Sequence, residues 1–249
     1  MFESFIQSIN QLEPISLEQL DSVSLLNRVD KKFVLNSFQL EQIFPCLLEN
    51  YFVLEIDGNK IFTYENNYFD TKCFQFYKDH HNSYVHRIKV RSRKYVESNL
   101  SFFEIKKKEK IDRTNKFRAK VPDLMDELDQ SKKDIIKTFT RKNISNIELI
   151  LKNNFSRVTL VNKQFTERVT IDVNLEFIKD EKKIALSKVA IIEIKQSKAT
   201  QSSPLADFFK SNNFRKQSFS KYIYGVIIFN EEIKKNNFLQ LIKKIKNIQ

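Results

Sequence analysis

Four cations occupy alternate positions in the segment His86–Tyr95, H-R-I-K-V-R-S-R-K-Y. Extended, it puts Arg87, Lys89, Arg91 and Arg93 on one face and Ile88 and Val90 on the other. Related patterns recur. Arg28, Asp30 and Lys32 share a face in R-V-D-K-K-F, and Glu104, Lys106 and Lys108 lie opposite Phe103 and Ile105. In Val189–Gln196, Glu193 and Lys195 oppose Ala190, Ile192 and Ile194. Arg168–Phe177 alternates Arg168, Thr170, Asp172, Asn174 and Glu176 with Val169, Ile171, Val173, Leu175 and Phe177. A row of like charges repels itself unless a polyanion or facing carboxylates neutralise it. Glu104 and Glu193 facing the same space as the cations would suit a metal-bound chain of phosphates.

A half-solvated antiparallel sheet explains any one of these strands. Four cations in one row are better explained by a closed antiparallel barrel, with a charged lumen and an apolar outer face padded by helices. The expected class is therefore α+β. Helices are read from Ser37, with Ser37 as N-cap, and from Pro122 through Phe139. Others start at Ser203-Pro204 and run from Glu231 to about residue 247, where a lysine-rich face lies opposite Ile233, Phe238, Leu241, Ile242 and Ile245. No linker or repeat divides the chain, so residues 1–249 read as one domain with a C-terminal helix about 231–247; the family motifs quoted below mark its motif-bearing core as about 20–230.

Composition narrows the chemistry. The 249 residues hold 43 Lys+Arg against 31 Asp+Glu, a formal charge of +12, which implies an anionic partner. The only glycines are Gly58 and Gly225, which excludes Walker and Rossmann loops, so phosphate must be held by side chains. Cys46 and Cys73 form no CxxC, and His80, His81 and His86 have no zinc spacing. The longest apolar run, Ile223–Phe229, is too short to span a bilayer, and the first residues lack a signal-peptide pattern. A reduced cytoplasm is the expected location.

The motifs resemble a known family when taken in order: R-V-D-K-K-F (28–33), Y-F-D-T (68–71), R-I-K-V-R-S-R-K-Y (87–95), F-E-I-K (103–106), N-K-F-R (115–118), R-V-T-I-D (168–172), I-E-I-K (192–195) and S-K-Y (220–222). Together they resemble the VTC domain, the polyphosphate polymerase domain of the triphosphate tunnel metalloenzyme (CYTH-like) superfamily. The resemblance implies transfer of the γ-phosphoryl group of ATP to a growing polyphosphate, inside a basic tunnel. Carried over by motif, Lys32, Arg91, Arg93, Lys106, Lys116 and Lys221 would bind phosphate, with Lys163 where the family has arginine. Glu193 would hold a divalent metal, Mn²⁺ or Mg²⁺, and Ser220 would face the tunnel. Arg28, Lys89, Arg118 and Lys195 share those faces and rank second.

Lys163 keeps the charge of the family's arginine without its bidentate fork. Asp30 stands where glutamate is common, and Ser218 replaces a cation found in some members. The first rival is a tripolyphosphate or nucleoside-triphosphate hydrolase of the same fold. Its glutamate-rich opening, E-x-E-x-K, is replaced here by Arg28-x-Asp30-x-Lys32. The second rival is a non-catalytic binder of polyphosphate or RNA, whose exposed stacking aromatics are not evident in the cation rows. No specific nucleic-acid partner is expected. Any membrane or regulatory partner would be a separate chain.

Overall fold

A strand with one apolar and one charged face is stable where its two faces meet different surroundings. The computed structural model describes residues 2–21, 28–109, 114–197 and 203–249, apart from the Arg28 side chain. It meets that demand with one eleven-stranded sheet curled around its charged face. The chain opens with α1 (Glu3–Ile9), β1 (Pro14–Ile15) and α2 (Leu17–Asp21), then β2 (Arg28–Asn36), α3 (Ser37–Gln42), α4 (Phe44–Asn50) and β3 (Tyr51–Leu54). Next come β4 (Phe62–Thr71), α5 (Gln75–His81), β5 (Ile88–Tyr95), β6 (Leu100–Lys108) and β7 (Thr114–Val121). The α6 helix (Gln130–Thr140) precedes β8 (Ile147–Asn162), β9 (Glu167–Lys179), β10 (Lys182–Leu186) and β11 (Val189–Ser197). The chain finishes with α7 (Pro204–Ser211), α8 (Lys221–Phe229), a 3₁₀ turn (Asn236–Phe238) and α9 (Leu239–Ile248).

The main strand order is β2-β11-β9-β8-β4-β5-β6-β7, with antiparallel neighbours throughout. The α+β class and the tunnel-forming antiparallel sheet are as expected. The ladder does not close, however: among the described residues β2 and β7 are its two ends. Curvature supplies the enclosure. Lys32 on β2 donates to the Phe219 carbonyl at 3.1 Å, and Lys89 on β5 donates to Ser220 Oγ at 2.8 Å. Strands far apart in the sheet order thus reach adjacent residues at the start of α8. The free edge of β2 is partly covered, because Gln217 N–H donates to the Lys32 carbonyl.

Three apolar clusters hold this shape. Phe33, Leu35, Val158, Leu160, Val169, Ile171 and Ile192 pack under α1, α3, α4 and α7 on one part of the outer face. Val90, Phe103 and Ile105 pack with Phe76 of α5 and Ile136 of α6 on another part. The third cluster joins Tyr222, Ile223, Val226 and Ile227 of α8 to Val34, Tyr68, Leu151 and Ile191. Those four positions share parity with the charged rows, so α8 lies inside the curl and forms its floor.

Local signals explain where the expected helices moved. Asn36, not Ser37, caps α3, through a capping box with Gln39. The helix expected from Pro122 starts only at Gln130, because Asp129 accepts the Lys132 N–H as its N-cap. Ser203 caps α7 as read. The C-terminal helix is confined to Leu239–Ile248 after the 3₁₀ turn. The clean alternation read in Arg168–Phe177 breaks at Asn174, whose φ is +52° beside a register shift against β8. Val173 therefore packs in the outer cluster, whereas Leu175 and Phe177 join the cluster around α8. Among the described residues no helix is long and apolar enough to cross a membrane.

Gly225 lets α8 press against the sheet. A Cβ there would sit 2.2 Å from Leu151 Cδ2 and 2.9 Å from Phe177 Cδ1. Gly225→Ala should therefore destabilise the fold by about 1–3 kcal/mol, despite alanine's better helix propensity. Chemical denaturation checks this; an unchanged or higher midpoint would show that α8 is not close-packed on β8 and β9.

Candidate functional site: a cation-lined trough

Strand registry sets the cations in tiers. Across β5, β6 and β7, Lys89 lies opposite Lys106, and Lys106 opposite Lys116. The next tier is Arg91, Glu104 and Arg118, and the third is Arg93, Phe102 and Lys120. From the other side of the curl, β2 and β11 bring Lys32 opposite Glu193 and Asp30 opposite Lys195. The α8 floor contributes Ser220, its N-cap, and Lys221.

Contacts tie these tiers together. Arg91 grips Glu104 through Nε at 2.6 Å and Nη2 at 2.5 Å, and Arg118 Nε approaches the other carboxylate oxygen at 3.6 Å. Glu193 faces Lys195 at 3.0 Å and Lys32 at 3.6 Å. Arg93 is 7% exposed and donates to Asn66 Oδ1 at 2.7 Å. Asp172, 3% exposed, takes both arms of Arg157 at 2.5 and 2.8 Å. Lys221 bonds the same carboxylate while its Nζ sits 4.0 Å over the Phe155 ring.

The electrostatics follow from crowding cations out of water. Burial, with Lys32, Arg87 and Arg91 nearby, lowers Lys89 to about 7. Lys106 is lowered to about 6 chiefly by Arg91, since its own side chain still reaches solvent. Burial brings Lys221 to about 8 against the pull of Asp172. Burial alone would raise the carboxylates, but Arg91 and Arg93 hold Glu104 at about 2. Lys195 and Lys32 likewise hold Glu193 far below the usual range, and Arg157 and Lys221 do so for Asp172. His80 is driven to about 3 by burial and by Lys89, Arg87 and Lys32, so it stays neutral.

Of the residues expected in the site, Lys32, Lys89, Arg91, Arg93, Lys106, Lys116, Arg118, Lys195, Lys221, Ser220 and Glu193 lie on this face or at its floor. The Arg28 side chain lies outside the described residues. Lys163 does not join them: it sits in the β8–β9 turn, 3.8 Å from Glu13 and 5.7 Å from the centre of the Phe52 ring. The arginine supplied by that part of the chain is Arg157, six positions earlier on β8. Arg87 precedes β5 and donates to the Tyr84 carbonyl instead of continuing the row. Arg157 and Asp172 were not singled out as site residues. Their signal was faint: Arg157 alternates with Val158 and Leu160, and Asp172 ends R-V-T-I-D.

An enclosed face with more cations than carboxylates, built by a curled antiparallel sheet and floored by a helix N-terminus, is the arrangement of a cation-lined tunnel. The chain belongs to the VTC domain family, whose model matches residues 27–230. A comparison with curated proteins finds no match. Similar solved structures include a candidate adenylate cyclase from Bacillus halodurans, 12% identical, with a TM-score of 0.49 over 80% of this chain and 98% of that one. A candidate adenylyl cyclase from Hippeastrum, described as having dominant triphosphatase activity, is 13% identical, with a TM-score of 0.48 over 83% and 97% of the two chains. A Pyrococcus horikoshii protein is 14% identical, with a TM-score of 0.47 over 82% and 99%.

Removing the Asp172 charge leaves Arg157 and Lys221 buried without their anion. Asp172→Asn should cost about 3–5 kcal/mol of stability, part of it restored by tripolyphosphate occupying the tunnel. Thermal melts with and without tripolyphosphate test this; an unchanged melting temperature would remove Asp172 from the structural core of the site. A second expectation concerns pH. Lys89 and Lys221 titrate lower folded than unfolded, so the unfolded chain binds more protons between about pH 7 and 10. Stability should therefore rise with pH across that window. A bound polyanion raises these lysines again, so its binding should take up protons and weaken as pH rises. Calorimetry in buffers of different ionisation enthalpy measures the uptake, and proton release would contradict this arrangement.

Proposed function

We propose that this VTC-domain protein is a polyphosphate polymerase-like phosphotransferase, moving the γ-phosphoryl group of ATP onto a polyphosphate chain held in the tunnel. The observation that carries this reading is the convergence of Lys32, Lys89, Arg91, Arg93, Arg157 and Lys221 on one enclosed face, with Lys106 at its exposed rim. Phosphoryl transfer needs aligned oxygens and neutralised charge more than covalent help, and a cation-lined trough supplies both.

The residues fit a metal that arrives with the phosphates. Among the described residues no group of three or more His, Cys, Asp or Glu side chains could hold an ion alone. Mg²⁺ and Mn²⁺ at phosphate sites commonly take one or two carboxylates and draw other ligands from phosphate and water. Glu193, ionised and partly exposed, is the residue we assign to that role. When bound, the metal would withdraw charge from the phosphate oxygens.

In the step itself, a terminal oxygen of the polyphosphate attacks the γ-phosphorus. The bond from that phosphorus to the β–γ bridging oxygen breaks, and ADP leaves with the electron pair. The acceptor oxygen is already ionised, so no general base is required. Arg91, Arg93 and Lys106 face the equatorial and leaving oxygens, while Lys32, Lys89, Lys195 and Lys221 hold flanking phosphates. Lys116 and Arg118 extend the row on β7. Cytoplasmic ATP is the donor in this reading.

The hydrolase of the same fold is disfavoured because two of the carboxylates are engaged by cations, Glu104 by Arg91 and Asp172 by Arg157 and Lys221, which leaves Glu193 as the one acidic group assigned to a metal. Incubation with ATP and Mn²⁺, quantifying ADP, free phosphate and chain-length-resolved polyphosphate together, tests the proposal. Polyphosphate should accumulate with ADP, and Arg91→Ala or Glu193→Gln should lower kcat/KM by about 10²-fold or more. Free phosphate without polymer would make the protein a hydrolase. Tight polyphosphate binding without turnover would make it a binder.

A further inference from the structure

The tiers that carry cations at one end of β5 end in aromatic rings at the other. Beyond Arg93 the same face presents Tyr95, with Phe102 opposite Arg93 on β6 and Tyr64 opposite Tyr95 on β4. Tyr64 stacks on Phe155 at 5.2 Å and meets Tyr95 at 4.8 Å, and Tyr95 meets Phe102 edge-on at 5.8 Å. A ladder of rings therefore crosses β8, β4, β5 and β6. Its inner half is already covered: Tyr64 and Phe155 are buried, with Arg93, Arg157 and Lys221 over their rings. Its outer half is not. Tyr95 and Phe102 are only partly buried, and the Arg118 guanidinium lies 3.7 Å over the Phe102 ring with its side chain 47% exposed. Arg118 is steadied there by the Tyr95 hydroxyl at 3.1 Å and by Glu104 at 3.6 Å.

A planar guanidinium laid on an aromatic ring, in a side chain left half exposed, is a surface on which a nucleobase stacks. We infer that the Phe102–Arg118 stack, walled by Tyr95, is the nucleobase subsite, taking the base of a nucleoside triphosphate whose phosphates run toward Arg93, Arg91 and Lys106. The inference rests on the nucleotide-using reading above and adds a direction to it. The donor nucleotide enters at the Tyr95–Phe102 end, and the Lys89–Lys106–Lys116 end receives the phosphate chain. Recognition by stacking, without a dedicated hydrogen-bonding edge, also implies weak discrimination among bases and a preference for the larger purine face.

Calorimetric titration of wild type and Phe102→Leu with ATP, GTP and tripolyphosphate, each with Mn²⁺, tests the subsite. Phe102→Leu should weaken ATP and GTP about fivefold or more, while tripolyphosphate affinity stays within about twofold of wild type. Retained tripolyphosphate binding also shows that the variant is folded. An equal loss for all three ligands, or unchanged ATP affinity, would overturn the subsite while leaving the phosphate tunnel in place. Failure of wild type to bind tripolyphosphate would overturn the proposed function itself. Nucleotide affinity lost in Phe102→Leu for ATP but not for GTP would reject recognition by stacking alone.

Discussion

Everything in this fold answers to one constraint: cations of like sign are held together where water is scarce. At an effective dielectric of about 20, two unit charges 5 Å apart repel by roughly 3 kcal/mol. A row such as Lys89, Arg91 and Arg93 therefore cannot be enclosed without compensation. The protein uses two forms of relief. Carboxylates are placed between cations, as with Glu104 between Arg91 and Arg118, or Asp172 between Arg157 and Lys221. Lysines lower their proton affinity, as Lys106 and Lys89 do. Both forms are partial, and the positive potential that remains is the one the proposed polyanion would neutralise.

The same constraint dictates the architecture. A sheet whose inner face is charged must find its apolar burial elsewhere, so helices cover the outside in two patches, one beneath α1, α3, α4 and α7 and one beneath α5 and α6. Curling alone would leave a wide open trough. The α8 helix fills it from within, its apolar side on Leu151 and Phe177 and its N-terminal Ser220 and Lys221 turned toward the cations. Asp70 secures this floor, because its buried carboxylate accepts the Tyr222 hydroxyl and the N–H groups of Phe76 and Tyr77. The tunnel floor and α5 are thereby fixed to one group.

Much of this was legible in period-two patterning. Strands β5, β6 and β11 each carry a charged row against an apolar row, so their parity alone places Arg91, Arg93, Lys106, Glu104 and Glu193 on the inner face. The illegible parts have separate causes. On β9 an extra residue at Asn174 shifts the register against β8 and turns Leu175 and Phe177 to the inner face. On β8 the parity holds against β4 from Leu151 to Arg157. Polar Asn153 and Asn154 blur its apolar row there, so Arg157 did not stand out, and the family motif pointed to Lys163 instead. The apolar run of α8 showed no amphipathic stripe, because a helix enclosed by the sheet is apolar nearly all round.

The scarcity of glycine belongs to the same logic. Backbone-cradled phosphate sites need close approach of the main chain, which fixes a phosphate at one location. Side chains projecting in tiers from antiparallel strands instead repeat along the strand, and a repeating ligand meets equivalent partners as it shifts by one unit. Arg91 and Arg93 differ in their partners, Glu104 for one and Asn66 for the other, yet both present a guanidinium to the same channel. A surface of that kind tolerates translation of a phosphate chain better than a loop shaped around one group. In the proposed reaction, aromatic rings at one end and lysines at the other would also give that translation a direction. A polymerising tunnel needs both properties, whereas a hydrolase that releases free phosphate needs neither.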